Sequence, residues 1–126
     1  MNVNYITTPT EGIAMYKVTL LYSQPADAAA FDKYFLETHL PLAERLEGYL
    51  KMELTNFVSN PSGEKPPFYR MSELYFVDQH SLQHSLDSPE GKAMVTDFSK
   101  FAPGGVQMIF GSVEELSVEF DTDRVF

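Results

Sequence analysis

The chain has 126 residues, with 9 basic and 18 acidic side chains and a formal net charge of −9. That length bounds a single domain that buries roughly two-thirds of its unfolded surface, and 44% hydrophobic with 13% aromatic residues exclude a disordered chain. The acidic balance argues against nucleic acid and anionic membrane surfaces as partners, which would repel it, and the lack of cysteine excludes disulfides, thiolate metal sites and thiol nucleophiles.

Residues 1–13 lack both the basic and the apolar region of a signal peptide. No run approaches 18 consecutive apolar residues. The expectation is a cytoplasmic protein with no membrane partner. The Asn, Thr, Pro and Gly content of residues 1–13 predicts an N-terminal arm or short irregular lead-in.

Met15–Ser23 alternates, with Tyr16, Val18, Leu20 and Tyr22 on one face and Lys17, Thr19 and Leu21 on the other; it predicts a strand. Ser23 or Gln24 before Pro25 then reads as a helix start, with Asp27 near the positive helix end. The first helix is expected over about Pro25–Leu46, with Ala28, Phe31, Phe35, Thr38 and Leu42 as its buried stripe. Pro41 removes the bond to the Glu37 carbonyl, so a kink is expected at Thr38–Pro41, and Gly48 supplies the stop.

Tyr49–Val58 alternates again, placing Leu50, Met52 and Leu54 opposite Lys51, Glu53 and Thr55. Ser59–Pro67 is loop chemistry, and Phe68–Val77 is the next strand. Asp78 or Ser81 caps a short helix carrying Leu82 and Leu86. Ser88-Pro89-Glu90 starts another, with Ala93, Met94, Phe98 and Phe101 as its stripe. Pro103-Gly104-Gly105 ends it. Val106–Phe110 is a strand that Ser112–Phe120 extends after Gly111.

The order β-α-β-β-α-β is the split βαβ, or ferredoxin-like, arrangement. The expected fold is α+β: an antiparallel four-stranded sheet with its helices on one face. One domain over residues 14–120 is expected, with 121–126 as a C-terminal tail. The strands carry large apolar groups on both faces, including Met15, Leu21, Met71 and Tyr75, more than a monomer usually exposes. Two sheets meeting face to face would cover them, so a homodimer is expected.

At Phe35-Leu-Glu-Thr-His39-Leu-Pro41-Leu42, followed by Gly48, the chain resembles the EthD family of dimeric α+β barrels. A second patch, Ser88-Pro89-Glu90-Gly91 followed by Asp97, Phe98 and Phe101, resembles the family's later helix. The resemblance covers roughly residues 14–112. It implies the dimeric α+β barrel and a pocket for a small, flat, hydrophobic compound. Related barrels include lactone isomerases, polyketide cyclases, dehydratases and cofactor-free monooxygenases, so fold alone does not fix a reaction.

His39 is the leading candidate for chemistry. It lies on the flank of the buried stripe beside the proline kink, and imidazole both gives and takes a proton near neutral pH. The alternative is a core-edge His bonded to a carbonyl. Asp97 sits on the edge of an apolar stripe and needs a partner there. It either orients a His or acts as a base, or else pairs structurally with Arg70 or Lys100. Among the strand tyrosines, Tyr22 is the preferred anchor for a carbonyl or enolate oxygen. Phe35, Tyr75, Phe98 and Phe101 are the expected ligand-binding side chains. His80 and His84 have the i, i+4 spacing of a metal pair, but Leu82 and Leu86 take the buried face and leave both in water. No metal and no cofactor are expected.

Together with these residues, the resemblance implies a cofactor-free acid/base enzyme, an isomerase, cyclase or dehydratase, acting on a small aromatic, lactone or polyketide-like compound. The rivals are a cofactor-free monooxygenase on the same fold, and a non-catalytic ligand-binding accessory of a degradation pathway.

Overall fold

Strand β2 (Met15–Ser23) is the spine of the sheet, because its alternation gives both neighbours a face to match. The computed structural model describes residues 3–8 and 15–120. Strand β1 (Val3–Thr8) precedes β2, and α1 (Ala28–Tyr34), a π-helical turn (Phe35–His39) and α2 (Leu40–Glu44) follow it. Next come β3 (Tyr49–Asn56), β4 (Phe68–Phe76), α3 (Gln79–Asp87), α4 (Pro89–Phe101), β5 (Val106–Val113) and β6 (Glu115–Phe120). Strands β3, β4, β2 and β5 lie side by side in that order, each antiparallel to its neighbour. The expected α+β, ferredoxin-like arrangement is the observed one, with α3 and α4 as the second helical segment on the same sheet face.

Register decides which side chains meet the helices. Val18 pairs with Leu74 and Phe110, Leu20 with Ser72 and Met108, and Tyr22 with Arg70 and Val106. Directly opposed residues share a face, and this is the face that packs on Phe31, Phe35, Met94 and Phe101. Val18, Leu20, Leu74, Phe76 and Met94 are completely or almost completely buried. Each such side chain contributes on the order of 1.5–3 kcal/mol.

The first helix begins later than its proline suggested. Asp27 is the cap, with extended backbone and a side chain accepting the Ala30 N–H at 3.0 Å. Ser23 and Gln24 are committed elsewhere: the Ser23 N–H extends the sheet to the Gly105 carbonyl, and the Gln24 amide donates to the Pro66 and Phe68 carbonyls. The kink takes the form of a widened turn, in which the Leu40 N–H reaches back five residues to the Phe35 carbonyl. A proline that cannot donate and crowds the carbonyl four residues back favours such a turn. Asp78 and Ser88 cap α3 and α4 as expected.

Four further expectations change. Strand β3 stops at Asn56, and Val58 is 90% exposed. A register shift between Tyr49 and Lys51 leaves Leu50 unpaired and exposed, so only Met52 and Leu54 share the helix-facing side. The lead-in carries a strand: β1 pairs antiparallel with β6, from Val3 opposite Phe120 to Thr8 opposite Glu115. The expected tail, 121–126, lies outside the described residues. Finally, the sheet face away from the helices is not uniformly apolar. Leu21, Met71 and Ile109 share it with Lys17, Thr19, Glu73, Lys51 and Glu53.

Candidate functional site

Between α1, the π turn and α4 lies a cluster of aromatic rings with three polar side chains threaded through it. The wide turn carries His39, and its ring is 2% exposed, packed against Phe35, Phe98 and Phe101 at centroid distances of 5.6, 5.0 and 4.5 Å. Asp97 faces it from the buried side of α4. His39 Nδ1 lies 3.1 Å from Asp97 Oδ2, and the Tyr34 hydroxyl donates to Asp97 Oδ1 at 2.7 Å. The carboxylate thereby holds both oxygens in hydrogen bonds, the condition under which a buried carboxylate is tolerated.

Burial lowers the His39 pKa below its usual 6.5, outweighing the opposing pull of Asp97. The ring is therefore neutral at pH 7. With a carboxylate facing Nδ1, that nitrogen carries the proton and Nε2 keeps the lone pair. The hydrogen bond to Asp97 raises the Tyr34 pKa, because the carboxylate prefers the phenol protonated.

A cavity of about 490 Å³ opens beside this cluster. Phe31, Tyr34 and Phe101 form one wall, with Tyr34 and Phe101 stacked at 5.3 Å. Pro25, Ala26, Ala30, Ala102 and the Pro103–Gly105 turn add further apolar or backbone surface, and Ser23, Gln24, Asp27 and Lys100 supply the polar groups. His39 does not line it; Tyr34 does, and joins the cavity to Asp97 and His39.

The candidates thus sort by position. His39, Asp97, Phe35, Phe98 and Phe101 come together. Tyr22 joins them by its ring, 5.6 Å from Phe35 and 6.5 Å from His39, but its hydroxyl turns to Ser72 at 3.4 Å. Burial pushes that phenol up to about 12, so it keeps its proton. Tyr75 is not brought there. Strand alternation puts it on the opposite sheet face, 4.4 Å from Lys51 Nζ and 5.7 Å from Lys17 Nζ. Asp97 pairs with neither Arg70 nor Lys100: Arg70 reaches Asp32 at 3.0 Å and Asn56 at 2.8 Å. His80 and His84 are exposed, with rings 6.3 Å apart. Among the described residues, no three His, Asp or Glu groups gather as metal ligands do, and no helix is long and apolar enough to cross a membrane.

Sequence reading missed Tyr34. Its position three residues after Phe31 marks the flank of the stripe. Its partner Asp97 is 63 residues away, so no local spacing reveals the pair.

The sheet order and one-sided helices define a ferredoxin-like α+β protein whose polar site sits between sheet and helices. Comparison with known proteins narrows this further: the EthD domain matches residues 23–105, and the chain belongs to the EthD family. It is 35% identical over 100 residues to an uncharacterized 11.0 kDa protein of the thcB-thcC intergenic region of Rhodococcus erythropolis, covering 79% of this chain and 96% of that one. The crystal structure of an EthD family protein from Bacillus halodurans superposes with a TM-score of 0.73 at 40% identity, covering 77% and 96% of the two chains. A hydroxynitrile lyase from Passiflora edulis shares the fold at 8% identity, with a TM-score of 0.65 over 81% and 95%.

Proposed function

We propose that this protein binds a small hydrophobic compound in the cavity beside Tyr34 and moves a proton on it, as an acid/base enzyme whose chemistry uses the chain's own groups. The observation that carries the reading is the hydrogen-bonded series Tyr34–Asp97–His39, with one end at an apolar cavity and the other sealed among aromatic rings. A cavity of this size falls within the roughly 300–1,000 Å³ of small-molecule sites. Tyr34 is the member that touches a ligand. Its oxygen receives the ligand's proton as its own passes to Asp97 Oδ1; the return path reprotonates the product. His39 is a positioning residue, holding the carboxylate through Nδ1–H. A lyase on the same fold at 8% identity is consistent with such chemistry but supports the fold alone.

The same reading takes the protein to be a homodimer. Strand β5 is a sheet edge whose Met108, Ile109 and Phe110 are 36%, 49% and 52% exposed. A second copy covering them resolves an exposed apolar strip on a free edge. Sedimentation of wild type and Phe110→Glu tests this: dimer for the first, monomer for the second. A monomeric wild type at micromolar concentration sinks it.

For the chemistry, aromatic, lactone and polyketide-like compounds are screened by amide chemical shifts at Ala30, Phe101 and Gly104. Bound compounds are then incubated in deuterated water. Wild type is expected to catalyse deuterium incorporation at the acidic carbon, Tyr34→Phe to lose it, and His39→Gln to reduce it with a changed pH profile. Binding without any exchange would make the protein a ligand carrier instead.

A further inference from the structure

Resting on the cavity reading above, the polar groups of the cavity wall say which end of a ligand it receives. Two segments far apart in sequence build that wall beside the aromatic rings: residues 23–27, between β2 and α1, and residues 102–105, between α4 and β5. The Ser23 N–H joins them by donating to the Gly105 carbonyl at 3.3 Å. A Cβ at Gly104 would lie 3.8 Å from the Ser23 Cβ, so the two backbones run close together.

Donors without a partner gather on these two segments. Of the lining residues, Ser23, Ala30, Phe31, Ala102 and Gly105 have their N–H groups taken within the chain. Those of Tyr34, Lys100 and Phe101 lie past the first turn of α1 and α4, where helical bonding satisfies them, and Pro25 and Pro103 have none. The N–H groups of Gln24, Ala26, Asp27 and Gly104 donate to no acceptor among the described residues. The last three of these residues are exposed, so a ligand oxygen can take the place of water on them. The Gln24 side chain takes no part, because its amide turns to the Pro66 and Phe68 carbonyls. Lys100 is the basic residue of the lining, and it forms no ion pair among the described residues. Asp27 is the opposing carboxylate, and its Oδ1 already accepts the Ala30 N–H at 3.0 Å.

We infer that the ligand is an aromatic carboxylate, its ring against Phe31, Tyr34 and Phe101 and its oxyanion held by Lys100 and the free N–H groups of the two facing segments. Lys100 is the specificity-determining residue. A carboxylate accepts several hydrogen bonds at once, and bonds to a charged group are stronger than neutral ones. An alcohol of similar shape brings one oxygen and no charge, and an ammonium meets Lys100 as a like charge. Anchoring the carboxylate at this end also fixes which part of the ligand lies against the Tyr34 oxygen.

The test titrates the full-length protein with three probes of similar shape: 1-naphthoate, 1-naphthalenemethanol and 1-naphthylmethylammonium. The chain has no tryptophan, so naphthalene fluorescence is read without an indole background. Wild type is expected to bind naphthoate roughly tenfold more tightly than the alcohol, and the ammonium most weakly. Lys100→Met, at an exposed position and with folding checked by circular dichroism, is expected to narrow the naphthoate-to-alcohol ratio severalfold and to leave the alcohol's affinity as it was. The amide protons of Ala26, Asp27 and Gly104 are expected to move downfield with naphthoate. Equal or tighter binding of the alcohol or the ammonium overturns the carboxylate and leaves the cavity reading standing. A ratio unchanged in Lys100→Met, or amide protons that stay in place, overturns the anion site as assigned. Binding of none of the three overturns both readings.

Discussion

The two faces of the sheet carry the same three chemical types and put them to different use. On the helix side stand a base, a carboxylate and a phenol: His39, Asp97 and Tyr34. On the open side stand Lys17, Glu73 and Tyr75, with Lys17 Nζ 2.5 Å from Glu73 and over the Tyr75 ring. The Lys17 side chain is 31% exposed and that of Glu73 11%, so water reaches this pair from the lysine side. His39 and Asp97 are nearly sealed, and burial holds the imidazole neutral. Tyr75 is pushed up to about 12, mainly by its hydrogen bond with Glu53. The contrast teaches that the helical layer, rather than the residue types, makes one triplet a site: it removes water and adds aromatic walls.

The sharpest way to break that layer is Gly91→Ala. A Cβ at Gly91 would fall 2.3 Å from the Ser85 carbonyl oxygen and 2.4 Å from that of Leu86, so α4 must move off α3. A loss of about 3 kcal/mol or more in urea unfolding is expected, together with loss of the Tyr34–Asp97 contact. Next, Asp97→Ala strands the His39 N–H and the Tyr34 hydroxyl and is expected to cost about 3 kcal/mol, against about 1 kcal/mol for Glu73→Ala, whose partner reaches water. Similar costs for the two would erase the distinction between the faces.

Legibility follows the same division. Asp97, Phe98 and Phe101 were readable because α4 obeys helical spacing, and His39 because it sits next to a proline. Tyr75 lies apart from the other candidates because alternation says which residues share a face and not which face the helices cover. Tyr34 was overlooked because its bond partner belongs to another helix.

The pH dependence separates the faces more finely. Unfolded, His39 takes a proton near pH 6.5; folded, it does so only at lower pH. Its contribution is therefore complete above about pH 6.5 and is lost as pH falls below that value. The melting temperature of wild type should drop between pH 7 and pH 5 more steeply than that of His39→Gln, while Lys17→Met should keep the wild-type slope. The smallest effect expected is on the phenols: Tyr34→Phe should lower stability slightly through the lost bond to the buried Asp97, and Tyr75→Phe less, because its partner Glu53 is exposed and water replaces the bond. Equal losses would show that the Tyr34 bond gains nothing from ending on the buried Asp97.

The sequence by itself determined the four strands of the main sheet, the helix cap at Ser88, the disturbance before Pro41 and the order β-α-β-β-α-β. All of these rest on forces between residues a few positions apart: alternation, capping and the missing proline N–H. Only the tertiary structure decided which sheet face the helices seal, that Tyr34 rather than His39 borders the cavity, and that Lys100 and Gly104 share its wall with residues 23–27. Those depend on how elements separated by dozens of residues pack, and on the water that packing excludes.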